Sequence, residues 1–155
     1  MLYLVRHAKA GSRHDFAGDD RLRPLTSNGQ LQARALAESL VGAGVKALIS
    51  SPYVRCVDTL QPTALLIGEP VALDECLAEG NSPVAVLELI RSVPDGTALC
   101  SHGDVIPDTI AILQRRGCKF TSPPDWRKAT VWVLERDADG AVTTAEAWPP
   151  PDISS

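Results

Sequence analysis

The sequence predicts an α/β domain with a largely parallel central sheet. Short apolar runs typical of buried strands return along the chain, and stretches with apolar residues at helical spacing separate them. Strands that alternate with helices favour a parallel sheet whose ligand site lies beyond the carboxyl ends of the strands. A chain of 155 residues fits one domain. We expect that domain over residues 1–148 and a loose tail over residues 149–155.

Six strands are predicted. The first four come from short apolar runs, and the last two flank the turn-forming segment 137–140, which predicts a hairpin. The six ranges are Leu2–Val5, Lys46–Ser50, Val71–Leu73, Thr97–Ser101, Thr130–Glu135 and Val142–Trp148.

Four helices are predicted between the strands, because apolar residues follow one another there at intervals of three and four. Ser27 to Gln30 has the form of a capping box and begins the first helix. Pro62 predicts a kink in the second, and Asn81 or Ser82 caps the third. The four ranges are Ser27 to about Leu40, Tyr53–Ile67, a helix with Pro83 in its first turn, and Asp104 to Gly117.

The composition is that of an ordinary globular protein, with 45% hydrophobic and 22% charged residues. A net charge of -4 argues against nonspecific binding to nucleic acid or to a membrane surface. The apolar run before Arg6 is too short for a signal peptide, so we expect a cytoplasmic protein. The four cysteines form no CxxC pair and are expected to be reduced and buried.

Basic side chains stand at the carboxyl ends of three predicted strands. Arg6 and His7 follow the first, Arg55 lies shortly after the second, and His102 follows Thr97–Ser101. Because the carboxyl ends of parallel strands meet at one edge of a sheet, we expect these four side chains to form an electropositive pocket. Guanidinium groups match phosphate oxygens by paired charge-assisted hydrogen bonds, so the expected occupant is a phosphoryl group.

These segments resemble the motifs of a known family. Leu4-Val5-Arg6-His7-Ala8 resembles the arginine-histidine motif of the histidine phosphatase superfamily, also called phosphoglycerate mutase-like. Segments 51–59 and 100–103 resemble its second and third motifs, and segment 25–33 resembles its first-helix entry. The resemblance implies the fold of that family, a three-layer sandwich in which helices flank a mostly parallel central sheet.

The resemblance also implies a role for each residue of the pocket. His7 is implied as the nucleophile, and Arg6 and Arg55 as ligands of the phosphoryl oxygens. His102 is implied as a hydrogen-bond donor to the transferring group. A neutral imidazole is nucleophilic near pH 7, and a phosphohistidine is labile enough for water to release phosphate. We expect neither a cofactor nor a metal ion.

A general acid that protonates the leaving oxygen is a further expectation from the family. Leu77-Ala78-Glu79 lies where the family often has a leucine-x-glutamate motif, which makes Glu79 the candidate. A polar loop residue without a catalytic role is an equal alternative for this position. Asp104 and Glu75 are the other candidates for the acid.

The segment after His7 separates the branches of the family. The mutase branch typically has other residues where this chain has Lys9, Ala10 and Arg13, so mutase activity is not expected. The short chain resembles the phosphohistidine phosphatases, which remove phosphate from histidine on signalling proteins. Segment 6–25 resembles instead the phosphatase domain fused to Nudix hydrolases in some bacteria, which points to nucleotides or polyphosphates.

Phosphohistidine on a protein and a nucleotide or polyphosphate are thus two alternative substrates, and both stay open. Lys9, Arg13, Arg21 and Arg23 would suit extra phosphates, although charged loop residues are more often only solvated. We expect Arg13, Lys9 and Gly103 to contact the substrate. That substrate is a phosphorylated small molecule, a nucleotide or a protein that carries phosphohistidine.

Two other functional classes compete with a histidine phosphatase. A binding module would keep the phosphate pocket without turnover and recognise a phosphorylated partner. A metal hydrolase would use His7, His14 and His102, but the sequence has no HxH or HxxxH spacing, and two arginines beside the histidines would repel a divalent cation.

Overall fold

The computed structural model describes residues 1–153 and contains seven strands and four α-helices within them. The strands are β1 (Leu2–Arg6), β2 (Ala47–Ser50), β3 (Val71–Leu73), β4 (Thr97–Ser101), β5 (Lys119–Phe120), β6 (Val131–Arg136) and β7 (Val142–Trp148). The helices are α1 (Ser27–Gly42), α2 (Val54–Ile67), α3 (Pro83–Ser92) and α4 (Val105–Arg115). Two short 3₁₀ turns, Asp20–Leu22 and Glu75–Leu77, lie in the loops.

All strands belong to one sheet with the order β3-β2-β4-β1-β6-β7-β5. Only β6 runs against the others, because it pairs antiparallel with both β1 and β7 while every other pairing is parallel. The predicted α/β class with a mostly parallel sheet is therefore confirmed. The two-residue strand β5 was not predicted, since a strand of that length leaves no periodic pattern in the sequence.

The side chains of β1 alternate between the two faces of the sheet. Leu2 and Leu4 point into a core with α3 and α4, and Tyr3 and Val5 point into a second core with α1 and α2. All four side chains are at least 95% buried, and each buried Leu or Val contributes roughly 1.5–3 kcal/mol. Helices thus cover both faces, which gives the three-layer arrangement.

The predicted helices are present, with one correction at the start of α1. The capping residue is Thr26 rather than Ser27, and its hydroxyl accepts a hydrogen bond from the amide of Gly29. Thr26 has the extended backbone angles of an N-cap residue. The residue three positions on is Gly29, which has no side chain to supply the second bond of a capping box. Ser82 caps α3 as expected, and Pro62 lies inside α2.

The backbone after β1 and β2 is tied to β4, which lies between these two strands. The amide of His7 donates to the carbonyl of Ser101 at 3.1 Å, and the amide of Ser51 donates to the carbonyl of Cys100 at 3.0 Å. The three motif segments are therefore held together at one sheet edge by main-chain bonds before any side chain is considered.

Other expectations concern exposure and the tail. All four cysteines are free, and Cys76 is half-buried whereas the other three are buried. Within residues 1–153, no helix combines the length and the apolar character needed to cross a lipid bilayer. Residues 149–153 form neither helix nor strand. Residues 154 and 155 of the expected tail lie outside the described residues.

Candidate active site

His7 follows β1 directly and is only 6% exposed. Its Nδ1 lies 2.8 Å from the carbonyl oxygen of Ala8, which can only accept, so Nδ1 carries the ring hydrogen and Nε2 keeps its lone pair. Burial, opposed by the hydrogen bond to the Ala8 carbonyl and aided by the charges of His102, Arg55 and Arg6, lowers the pKa of His7 to about 3. The imidazole is therefore neutral at pH 7, with Nε2 as its nucleophilic atom.

His102 follows β4 and packs beside His7, with 5.5 Å between the ring centroids. Its Nε2 lies 2.8 Å from the hydroxyl of Ser51, which also accepts from the amide of Tyr53 at 3.3 Å. The ring of Tyr53 packs edge-on against the same imidazole at 4.7 Å. His102 is thus fixed on two sides.

Arg6 lies across Gly103, and this contact requires a glycine. A Cβ at position 103 would stand 2.6 Å from Nη2 of Arg6. Nη1 of Arg6 donates to the carbonyl oxygen of Trp126, which anchors the outer end of the side chain. Gly103 therefore acts by making room for an arginine, a contribution that its place in the motif alone does not reveal.

Arg55 is 1% exposed and is held by Asp20. Its Nη1 donates to the Asp20 carbonyl at 2.9 Å, and its Nη2 lies 3.2 Å from the Asp20 carboxylate. That carboxylate also accepts from Nε of Arg23 at 2.8 Å. The hydrogen bond from Arg23, together with the charges of Arg55 and Arg13, holds the pKa of Asp20 below its usual value. The ionised carboxylate of Asp20 thus holds Arg55 and Arg23 in place.

Glu79 reaches the site between two arginines. Its carboxylate accepts from Nη2 of Arg13 at 2.7 Å and from Nη2 of Arg55 at 3.4 Å. Asp104 supports this loop, because its carboxylate accepts from the amide of Gly80 at 2.8 Å. Of the three candidate acids, Glu79 and Asp104 line the cavity.

Glu75 lies elsewhere. It pairs with Arg21 at 2.8 Å on the exposed side of the loop, and Arg21 in turn stacks on the ring of Tyr53. Neither of these two residues lines the cavity that contains His7.

The cavity beside His7 has a volume of about 350 Å³. Of the three residues expected to contact the substrate, Arg13 and Gly103 line this cavity, whereas Lys9 lines a neighbouring one. The full set of lining residues is Arg6, His7, Arg13, Arg23, Arg55, Glu79, Gly103, Asp104 and Lys128. Five of these nine residues carry cationic side chains, which are poor metal ligands and make the cavity suited to an anion.

Three buried nitrogen atoms of the site have no hydrogen-bond partner among residues 1–153. They are Nε of Arg6, Nε of Arg55 and Nδ1 of His102. A phosphoryl group offers acceptor oxygens to such donors. Within the same residues, no group of three His, Cys, Asp or Glu side chains is placed to hold a metal ion.

Lys128 and Asp20 also belong to the site, and no motif of the sequence predicts a role for either. Lys128 precedes β6 and stands in no motif. Asp20 lies in a polar loop, where a charged side chain is expected to be exposed to solvent. An acid close to several arginines, at Asp19-Asp20 before Arg21 and Arg23, was the only available signal.

Residues 2–85 match the sequence profile of the histidine phosphatase superfamily (branch 1). The matched range includes His7 and Arg55 and ends before His102. An 8-oxo-(d)GTP phosphatase of Mycolicibacterium smegmatis is 35% identical over 96% of this chain. The chain spans only 48% of the length of that protein.

Two solved structures share the fold. The protein histidine phosphatase SixA, complexed with tungstate, superposes with a TM-score of 0.75 at 22% identity over 92% of each chain. A candidate SixA phosphohistidine phosphatase from Nakamurella multipartitia gives a TM-score of 0.68 at 28% identity, over 96% of this chain and 95% of its own. The family profile and the sequence relative agree, the fold is shared with SixA, and the chain belongs to the histidine phosphatase superfamily (branch 1).

Proposed function

We propose that the chain is a metal-independent phosphatase that hydrolyses phosphomonoesters or phosphohistidine through a phosphohistidine intermediate on His7. The observation that carries the proposal is the state of His7. Its Nδ1 is bonded to the Ala8 carbonyl and its ring is kept neutral by burial, so Nε2 is a free nucleophile in a cationic cavity.

In the first step, the lone pair of His7 Nε2 attacks phosphorus. The bond from phosphorus to the leaving oxygen or nitrogen breaks, and its electron pair leaves with that atom, which takes up a proton. Arg6 and Arg55 balance the charge on the phosphoryl oxygens through donors that have no other partner among residues 1–153.

His102 contributes a third donor to the same group. We assign the ring hydrogen of His102 to Nδ1, because the Ser51 hydroxyl, which accepts from the Tyr53 amide, can give its own hydrogen to Nε2, and the Cys56 thiol also lies 3.5 Å from that nitrogen. Nδ1 is the buried atom that lacks a partner among residues 1–153, and it supplies a hydrogen bond as charge develops on the phosphoryl oxygens.

In the second step, water attacks the phosphorus of phosphohistidine. The N–P bond breaks, its electron pair returns to Nε2, and inorganic phosphate leaves with the oxygen of the water. Glu79 and Asp104 are the carboxyl groups placed to handle the protons, and we propose Glu79 as the acid that protonates a leaving oxygen.

Nucleotides or polyphosphates form a second candidate substrate class. The relative that is 35% identical over 96% of this chain is named as an 8-oxo-(d)GTP phosphatase, which favours this class. Both SixA structures favour phosphohistidine instead. The chemistry at His7 is the same in either case, and only the leaving group differs.

The test compares purified wild type with His7→Ala in excess chelator. Substrates are p-nitrophenyl phosphate, a nucleoside triphosphate and a protein carrying phosphohistidine, and released phosphate is measured. His14→Ala is the matched control, because His14 is exposed and lies outside the cavity. We expect turnover by wild type and control, none by His7→Ala, and a covalent phosphoryl group on His7 by mass spectrometry after a rapid acid or alkaline quench. Equal turnover by His7→Ala would overturn the proposal, and no turnover by any protein would favour a phosphate-binding module.

A further inference from the structure

Lys128 lies between two cavities and lines both of them. One is the cavity of about 350 Å³ beside His7, and the other is a neighbouring cavity of about 660 Å³. Arg6 lines both as well. The second cavity is further lined by Lys9, Gln32, Arg127 and residues 150–153. A ligand that fills the first cavity therefore has room to continue past Lys128.

The positive charge at this junction is not neutralised within the described chain. The side chains of Lys128 and Lys9 have neither a hydrogen bond nor an ion pair with any of residues 1–153. Burial lowers the pKa of Lys128, and the charges of Arg6, Arg23, Lys9 and Arg55 lower it further. Four cations are among the largest causes of this shift, so an anion beside the ammonium group would be favourable.

Four other cations nearby do have such an ion pair. Arg13 and Arg55 share Glu79, Arg23 pairs with Asp20, and Arg127 pairs with Asp125 at 2.6 Å. Asp152 lines the second cavity and has a partner of its own. The cations of the two cavities that have no ion pair among residues 1–153 are therefore Lys128, Lys9 and Arg6.

The backbone fixes Lys128 at the junction. Ala129, the next residue, is fully buried and has a φ of 67°, the single positive value among non-glycine residues within 1–153. Its amide donates to the carbonyl oxygens of Arg6 and His7, both at 3.2 Å. A residue in this unfavourable conformation persists only where its surroundings determine it, and such positions concentrate at binding sites.

Lys9 is fixed in a similar way at the start of α1. Its amide donates to the side chain of Gln32 at 2.9 Å, and its carbonyl accepts from the amide of Thr26 at 3.0 Å. A Cβ at Gly29 would stand 1.9 Å from the Lys9 carbonyl oxygen, so the close approach requires glycine. Both lysine side chains thus extend from rigid main-chain positions.

We propose that Lys128 and Lys9 form a second anion subsite, which binds a phosphate group directly joined to the one transferred to His7. The substrate class is then a phosphoanhydride, namely a nucleoside di- or triphosphate or inorganic pyrophosphate. This inference rests on the proposed function, because it names the leaving group of the same reaction.

The chemistry of the step is consistent with the ion pairs of the site. Nε2 of His7 attacks the terminal phosphorus, the anhydride P–O bond breaks, and its electron pair stays on the departing phosphate beside Lys128. A phosphate carries that charge without first receiving a proton. Glu79 therefore need not leave Arg13 to act as an acid, whereas an alkyl phosphate would require it.

Kinetics provide the first test. Wild type, Lys128→Gln, Lys128→Arg and the control Lys119→Gln, an exposed lysine on β5 at the sheet edge, are assayed in chelator with pyrophosphate, a nucleoside diphosphate and p-nitrophenyl phosphate. We expect Lys128→Gln to lower kcat/KM for the two anhydrides about tenfold more than for the aryl phosphate, with Lys128→Arg retaining most of the preference. An equal loss on all substrates, or no loss, would overturn the subsite.

Calorimetry separates this inference from the function on which it rests. Pyrophosphate and inorganic phosphate are titrated into His7→Ala, with and without Lys128→Gln. We expect pyrophosphate to bind about tenfold more tightly than phosphate, and Lys128→Gln to remove the difference. If this result accompanies a wild type without turnover, the subsite stands and the proposed function fails. If wild type is active but pyrophosphate binds no better than phosphate, the subsite fails and the function stands.

Discussion

The hydroxyl of Ser51 lies 2.8 Å from Nε2 of His102, while Nδ1 of the same ring is buried without a partner among residues 1–153. One nitrogen of this imidazole is thus committed to the protein and the other is left for a ligand. In the proposed mechanism this hydroxyl sets which nitrogen carries the hydrogen, although it does not itself reach the reacting atoms.

Ser51→Ala is therefore expected to lower kcat about tenfold and to cost about 1 kcal/mol of stability. The ¹⁵N chemical shifts of the His102 ring should show the change of tautomer, which a merely structural role of Ser51 would not produce. Ser50→Ala is the matched control, since the Ser50 hydroxyl donates to the Ser51 carbonyl and does not contact His102. Unchanged shifts in Ser51→Ala would contradict the assignment.

Gly103→Ala is expected to lower kcat/KM about a hundredfold. Its Cβ would lie 2.6 Å from Nη2 of Arg6, so the guanidinium would have to move. Thermal unfolding should change little, since the far end of a flexible side chain can move. Gly42→Ala serves as the control, because a Cβ there meets nothing within 4 Å and favours the helix by up to about 1 kcal/mol. Near-normal activity of Gly103→Ala would show that the position of Arg6 is not critical.

Glu79→Gln tests the proposed acid through the leaving group. We expect phosphate release from an alkyl phosphate to fall at least about tenfold more than release from p-nitrophenyl phosphate, whose leaving group needs no proton. Glu75→Gln is the control, since Glu75 pairs with Arg21 away from the cavity. If Asp104→Asn shows this pattern instead of Glu79→Gln, Asp104 is the acid.

The stability of the fold should depend on pH through His7. Burial lowers its pKa to about 3, whereas a histidine in the unfolded chain titrates near 6.5. As the pH falls below 6.5, the unfolded state binds a proton that the folded state does not, so the free energy of unfolding decreases. Between pH 7 and pH 5, wild type should lose about 2 kcal/mol more than His7→Asn, as measured by urea titration. Equal losses would show that His7 does not remain neutral in the fold.

The fold class and the four central residues of the site could be predicted from the sequence. Apolar runs identified the strands, and the rule that ligands lie beyond strand ends brought Arg6, Arg55 and His102 together with His7. The resemblance to a family pointed to the same four residues. Each of these signals depends on local pattern or on topology, which is why they could be used without coordinates.

What escaped prediction depends on how loops pack against each other. Lys128 reaches the cavity because Ala129 adopts a left-handed conformation, and no residue type announces that conformation. Asp20 can pair with Arg55 only when its loop is folded over that arginine. Lys9 and Arg13 look alike in sequence, yet only Arg13 lines the cavity beside His7.

The place of β1 in the sheet also bears on how the protein is made. β1 pairs with β4 and β6, whose residues leave the ribosome some 95 and 130 positions later. The strand that precedes His7 is thus far in sequence from both of its neighbours, a long-range pairing of the kind that slows folding. The nascent chain cannot assemble its nucleophile with the groups around it until β6 has emerged, so a truncated product of interrupted translation would carry His7 without a working site.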